Sequence, residues 1–246
     1  MKSHMLGVFH GTRDYKLFIQ HLQGLVDHVP PVGVFAGDNL FTYGRNLGFL
    51  DDEKFMATFN EHAQDVVERS TAWRLHILCW AARRALKLDG DFVECACYKG
   101  TSARIVADYV DLEASGKSFY LYDLFDHDPA MPHHRMPEHG ATLFETVKSR
   151  FAEFSRVHVT QGRVPDVLHE VAPDRISFLH LDLNNAVAEV GALEFMFERV
   201  SPGAPIVLDD YGWHAYRAQK AAIDAFLGPR NYQVLELPTG QGLLIK

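Results

Sequence analysis

The chain has 246 residues, 47% hydrophobic and 23% charged, which is enough apolar content for a sizeable core and excludes a disordered or fibrous protein. Its 32 Asp and Glu against 24 Lys and Arg give a net charge of −8, and without clustered basic residues it is not built for nucleic acid or an anionic membrane. Three cysteines, with Cys95 and Cys97 one residue apart, form neither a disulfide framework nor a zinc or redox signature, and with no signal peptide or long apolar run a cytoplasmic protein is expected.

The first fifty residues, punctuated by Pro30, Pro31, Gly33, Gly37, Gly44 and Gly48, read as irregular or partly helical. Asp51 or Asp52 then caps a helix in which Phe55, Phe59 and Val66 recur at helical spacing. A second helix is predicted over 71–87, stopped by Asp89-Gly90. From there strands and helices alternate: strand 92–96, helix 101–114, strand 118–122, a long loop, helix 138–154, strands 157–160 and 176–181, helix 186–199, strand 205–208 and helix 214–227. Such alternation predicts βαβ units and a parallel sheet covered on both faces. The end differs, because 232–237 and 243–246 flank a Gly-rich turn, Pro238-Thr-Gly-Gln-Gly242, and predict a hairpin. Parallel units closed by a hairpin are the layout of a Rossmann-like class I methyltransferase, an α/β fold with a mostly parallel seven-stranded sheet. Residues 1–89 are then a helical or irregular extension that covers the site or makes dimer contacts, and 90–246 the cofactor-binding core.

The first candidate site is Glu94-Cys-Ala96-Cys-Tyr98-Lys-Gly100-Thr101-Ser102, between the first strand of that core and its helix. A tight turn there aims backbone N–H groups and a helix N-terminus at a ligand. The dinucleotide pattern G-x-G-x-x-G is absent, and Glu94 would repel pyrophosphate. S-adenosylmethionine, cationic and free of phosphate, suits this loop better than NAD. Asp123 ends the second strand, where Rossmann-like sites place an acid on ribose hydroxyls.

Asp182, Asp209 and Asp210 close two further strands, at the edge where open α/β sheets bind ligands. Three converging carboxylates call for a cation, and hard oxygen ligands select Mg²⁺ or a similar ion. Asn184 and Asn185 either orient substrate or open the next helix. His180 shares a strand face with Asp182, as a core residue or as a base. His214 follows Asp209-Asp-Tyr-Gly-Trp213 and is the preferred general base, with a surface histidine at a helix start as the plain alternative. The His- and Pro-rich stretch 127–139 is not regular structure; it reads as a lid or substrate loop, or as an ordinary surface loop. Trp73, Trp80, Phe55 and Phe59 read as core or dimer packing.

Taken together, Trp73-Arg-Leu-His-Ile-Leu-Cys-Trp-Ala-Ala82, Gly90-Asp-Phe-Val-Glu-Cys95, Gly100-Thr-Ser102, His180-Leu-Asp182, Ser201-Pro-Gly203 and Asp209-Asp-Tyr-Gly212 resemble the macrocin O-methyltransferase-like family over about residues 50–246. The resemblance implies an Mg²⁺- and S-adenosylmethionine-dependent enzyme that methylates sugar hydroxyls. It also implies metal ligation by Asp182, Asp209 and Asp210, and cofactor contacts from the Glu94–Ser102 loop and Asp123. Two positions depart from the family. Ala96 stands where glycine is usual, and Asp182-Leu-Asn184 replaces Asp-Gly-Asp, so Asn184 cannot serve as the proton acceptor that the second acid provides in relatives. The expected activity is O-methylation of a small hydroxylated acceptor by a homodimer, with His214 or His180 taking the proton. A metal-free methyltransferase and a non-catalytic S-adenosylmethionine-binding protein are the alternatives.

Overall fold

Runs such as Asp91-Phe-Val-Glu-Cys95 and Ile176-Ser-Phe-Leu-His-Leu181 are too short and too evenly apolar for amphipathic helices, and they form central strands. A computed structural model describes residues 2–129, 131 and 135–246. The chain divides into two units, Met1–Ile77 and Leu78–Lys246.

In the first unit, β1 (His4–Met5) pairs parallel with β2 (Phe35–Gly37), which turns back antiparallel onto β3 (Leu40–Thr42). The turn residues Asp38 and Asn39 both have positive φ, 50° and 55°, the conformation that suits a two-residue hairpin. Helix α1 (Tyr15–Val26) is capped by Asp14, whose side chain accepts the Leu17 N–H. Strands of two or three residues are too short to show a period, which is why the sequence reads as irregular here. The helix expected from Asp51 or Asp52 onward is broken: α2 (Glu53–His62) ends, and α3 (Val66–Ser70) restarts on an Asp65/Glu68 capping box. Helix α4 (Ala72–Ala85) follows. Buried Phe35, Phe49 and Phe55 meet half-buried Trp73 and His76 edge-on, tilted or stacked, whereas Trp80, also expected in core or dimer packing, is exposed.

The second unit alternates as predicted. Strand β4 (Asp91–Cys95) leads to α5 (Thr101–Val110) and α6 (Leu112–Ser115). Then come β5 (Phe119–Asp123), α7 (Leu143–Arg150), β6 (Val157–Gln161), β7 (Ile176–Leu181), α8 (Ala186–Met196), β8 (Pro205–Leu208), α9 (Arg217–Leu227), β9 (Leu235–Glu236) and β10 (Gly242–Ile245). They make a seven-stranded sheet in the order β6-β5-β4-β7-β8-β10-β9, parallel except for β10, which runs antiparallel to β8 and β9. Helix α7 is shorter than predicted at both ends: Gly140, at φ +147°, stands outside helix geometry before it, and Phe151, at φ −107°, closes it.

Alternation along the strands sorts the two faces. Val93, Cys95, Leu179, Leu181, Ile206 and Leu208 pack with Ala192, Leu193, Met196, Ile223 and Phe226 of α8 and α9. The alternate residues Phe92, Phe119 and Phe178 meet edge to face on the other side. The order reverses at β4, with β5 to one side and β7 to the other, and in open α/β sheets the ligand crevice lies at such a switch point. Among the described residues, no helix is long and apolar enough to cross a membrane.

Gly90 makes the turn into β4 at φ +109°, where an added Cβ would lie 2.6 Å from the Arg175 carbonyl carbon. Gly90→Ala is predicted to lower stability by about 2–4 kcal/mol, measured by urea unfolding. A loss below about 0.5 kcal/mol would contradict this close approach.

Candidate active site

The carboxyl ends of β4, β5 and β7 open on a cavity of about 540 Å³, whose lining includes Ala96, Tyr98, Asp123, His139, Arg163, Asp182 and Asn184. The chain leaves β4 through a turn in which Ala96 (φ +66°), Tyr98 (φ +47°) and Gly100 (φ +70°) are all left-handed. For Ala96 and Tyr98 this costs on the order of 1–3 kcal/mol each, so the surroundings must impose it. Backbone hydrogen bonds supply part of that constraint. Ala96 and Cys97 both donate to the Tyr122 carbonyl, at 2.7 and 3.3 Å. Tyr98 N–H donates to Asp123 Oδ2 at 2.7 Å, and Phe125 N–H to Asp123 Oδ1 at 2.6 Å. Burial raises the Asp123 carboxyl above its ordinary range, against the pull of these two donors. Burial also pushes the Cys95 and Cys97 thiols well up, which leaves them unreactive.

Of the residues expected to contact the cofactor, Ala96, Tyr98 and Asp123 line the cavity, whereas Glu94, Gly100, Thr101 and Ser102 do not. Glu94 is buried and accepts the Ser102 hydroxyl at 2.6 Å. The Thr101 hydroxyl accepts from Arg150 at 2.9 Å. Gly100 packs so closely on Phe151 that an added Cβ would lie 2.8 Å from its Cε2. Asp182 does line the cavity, with Asn184 Nδ2 at 3.4 Å from its Oδ1. Asn185 caps α8 by accepting the Val187 and Ala188 N–H groups. His214, the preferred base, lies exposed in a single helical turn and does not line the cavity.

The three acids do not assemble as a metal site. Among the described residues, no group of three or more His, Cys, Asp and Glu side chains is placed to hold an ion. Consecutive residues leaving a strand tend to point to opposite sides, and Asp209 continues on the side of His180. Its Oδ1 lies 3.4 Å from His180 Nε2 and accepts Gln241 Nε2 at 2.9 Å. His180 Nδ1 is 3.5 Å from Glu94 Oε1. Burial works to lower the imidazole pKa, but the Glu94 and Asp209 carboxylates outweigh it and hold it well above the ordinary histidine range. At Asp209 the neighbouring groups are thus an imidazole and a side-chain amide.

Two features escape sequence reasoning. Glu189 is fully buried in α8, where its Oε1 accepts the Leu183 N–H at 3.2 Å and Gln219 Nε2 at 3.1 Å. The one hint in the sequence is an acid between Ala188 and Val190 in an otherwise apolar stretch. Burial, with Asp210 adding to it, pushes this carboxyl up to about 8. Asp128 and Glu138 of the 127–139 stretch are tied beside the cavity through pairings distant in sequence. Asp128 pairs with Arg163 at 2.6 Å, and Glu138 meets both the Tyr98 hydroxyl and Lys99. His133 and His134 of that stretch lie outside the described residues.

A mostly parallel sheet closed by an antiparallel hairpin, with a strained turn after β4 and a carboxylate at the end of β5, defines a class I methyltransferase. The family model described as Macrocin-O-methyltransferase (TylF) matches residues 69–237. The chain belongs to that family and is an O-methyltransferase. Its fold is similar to that of the O-methyltransferase NovP (16% identity, TM-score 0.60, 72% of this chain and 81% of that one). It is also similar to the calicheamicin methyltransferase CalS11 (14% identity, TM-score 0.57, 100% and 97%). A third likeness is TomG from Streptomyces achromogenes, solved in complex with SAM (14% identity, TM-score 0.51, 79% and 90%). No curated protein matches the sequence.

With its carboxyl near 8 in the fold and an ordinary value of 4.5, Glu189 binds more protons folded than unfolded between those values. Its contribution to stability is therefore present at low pH and is lost as pH rises through about 8. Glu189→Gln is predicted to be more stable than the parent at pH 9 and to lose stability less steeply between pH 5 and 9, measured by urea unfolding. Parallel pH profiles would contradict the assignment.

Proposed function

We propose that this chain methylates a hydroxyl of a small metabolite, a sugar or a glycosylated natural product. The observation that carries the reading is the single cavity shared by the left-handed Ala96–Tyr98 turn, the Asp123 carboxylate and Asp182. The family supports it, as does CalS11, described as a TDP-rhamnose 3'-O-methyltransferase.

S-adenosylmethionine supplies an electrophilic methyl carbon on a sulfonium. Asp123 is assigned to the ribose hydroxyls: it accepts two backbone N–H groups and keeps acceptor capacity at the cavity wall. Ala96 and Tyr98 bring the main chain close to the ligand, while Glu94, Gly100, Thr101 and Ser102 hold the turn from behind. Transfer to oxygen is an in-line displacement, so alignment of acceptor and cofactor carries much of the rate. Asp182 is assigned to bind the acceptor hydroxyl and take its proton as the O–C bond forms and the C–S bond breaks. Asn184, which cannot take a proton, steadies that carboxylate.

The divalent cation implied by the resemblance does not fit these residues as they stand. Asp209 accepts a hydrogen bond from Gln241 and lies 3.4 Å from His180, and of the three acids only Asp182 lines the cavity. No step is routed through a metal.

Calorimetry with S-adenosylhomocysteine is predicted to give one site on the parent chain and at least about tenfold weaker binding in Asp123→Ala. Absence of binding to the parent would overturn the reading. Methyl transfer to glycosylated acceptors is predicted to survive EDTA unchanged. Loss with EDTA and recovery with Mg²⁺ would show that the acids rearrange around an ion.

A further inference from the structure

We propose that His180 is a positioning residue that couples the cofactor side of the cavity to the β8–β10 side, by holding Glu94 and Asp209 in one buried chain of polar contacts across three neighbouring strand ends. The inference rests on the reading that the cavity binds S-adenosylmethionine.

Glu94 and His180 are register partners on β4 and β7, so their side chains share a sheet face. His180 is likewise in register with Val207 on β8, and Asp209 lies two residues further along. From one end to the other, the Ser102 hydroxyl donates to Glu94 Oε1 at 2.6 Å, and Glu94 Oε1 lies 3.5 Å from His180 Nδ1. His180 Nε2 lies 3.4 Å from Asp209 Oδ1, which accepts Gln241 Nε2 at 2.9 Å, while the Thr239 hydroxyl donates to Gln241 Oε1 at 3.0 Å. Glu94, His180, Thr239 and Gln241 are all buried.

Packing alone does not call for this chain. The same face carries Phe92, Phe178 and Val207 at neighbouring positions, fully buried and apolar. Placing charged groups where such residues would serve is usually neutral or costly for stability. What the chain does connect is functional. Ser102 stands in the first turn of α5, directly after the strained cofactor turn. Asp209 opens the segment whose Gly212 N–H is bound to the Gly240 carbonyl at 2.7 Å, beside Gln241. Glu94 Oε2 and both His180 ring nitrogens are buried without a hydrogen-bond partner, so Ser102 supplies the hydrogen bond at Glu94 Oε1, and His180 acts on Glu94 and Asp209 at ion-pair distance.

The test is a double-mutant cycle on S-adenosylhomocysteine affinity, by calorimetry, with thermal unfolding of every variant recorded alongside. Asp209 does not line the cavity, yet Asp209→Asn is expected to weaken binding at least about fivefold in the parent chain and less than about twofold in His180→Gln. His180→Leu, which removes both ring nitrogens, serves as the second background if His180→Gln unfolds. A merely structural role would lower melting temperatures and leave the two effects additive. Additivity within about twofold overturns the coupling while leaving the cofactor reading intact, and a parent chain that binds no S-adenosylhomocysteine overturns both.

Discussion

The hydrogen bond from Tyr98 N–H to the Asp123 carboxylate is the contact on which the site depends. It joins the ends of two neighbouring parallel strands and helps hold Tyr98 at positive φ. With it the chain leaves β4 as a sharp turn that exposes backbone to the cavity. Without it Ala96 and Tyr98 would be left in a conformation that side chains disfavour by on the order of 1–3 kcal/mol each. Alanine at position 96 makes the turn dependent on that restraint, because it lacks glycine's freedom at φ > 0.

The second organising constraint is alternation along the strands. It places Phe92, Glu94, Phe178 and His180 on one face and leaves Val93, Cys95, Leu179 and Leu181 to pack on α8 and α9. The same rule sets Asp209 beside His180 and Gln241 rather than together with Asp182 and Asp210 around an ion. Negative charge at the strand ends is thus shared among a buried imidazole, side-chain amides and a raised carboxyl at Glu189.

Much of the second unit was legible in the sequence, because its strand runs and helical repeats are long enough to carry a period and the Gly-rich turn before Gly242 marks the hairpin. The first unit was not, since two- and three-residue strands carry no period. Asp14 was a usable signal for α1 in a segment otherwise read from its glycines and prolines. In the site, Asp123, Ala96 and Tyr98, singled out from their place after a strand, all line the cavity. What the local pattern does not carry is the step from acids close in sequence to acids close in space. His214 and Asp209 both follow β8, yet one ends exposed and the other turns toward His180. The partners of His180 are 86 residues upstream and 29 downstream, separations that no local pattern reveals.

The most direct measurement is a crystal structure with S-adenosylhomocysteine bound. The account predicts ribose hydroxyls within hydrogen-bonding distance of Asp123, the Ala96–Tyr98 turn against the ligand, and Asp182 facing the open side of the sulfur. A ligand bound elsewhere, or an Asp123 turned away from the ribose, would contradict it.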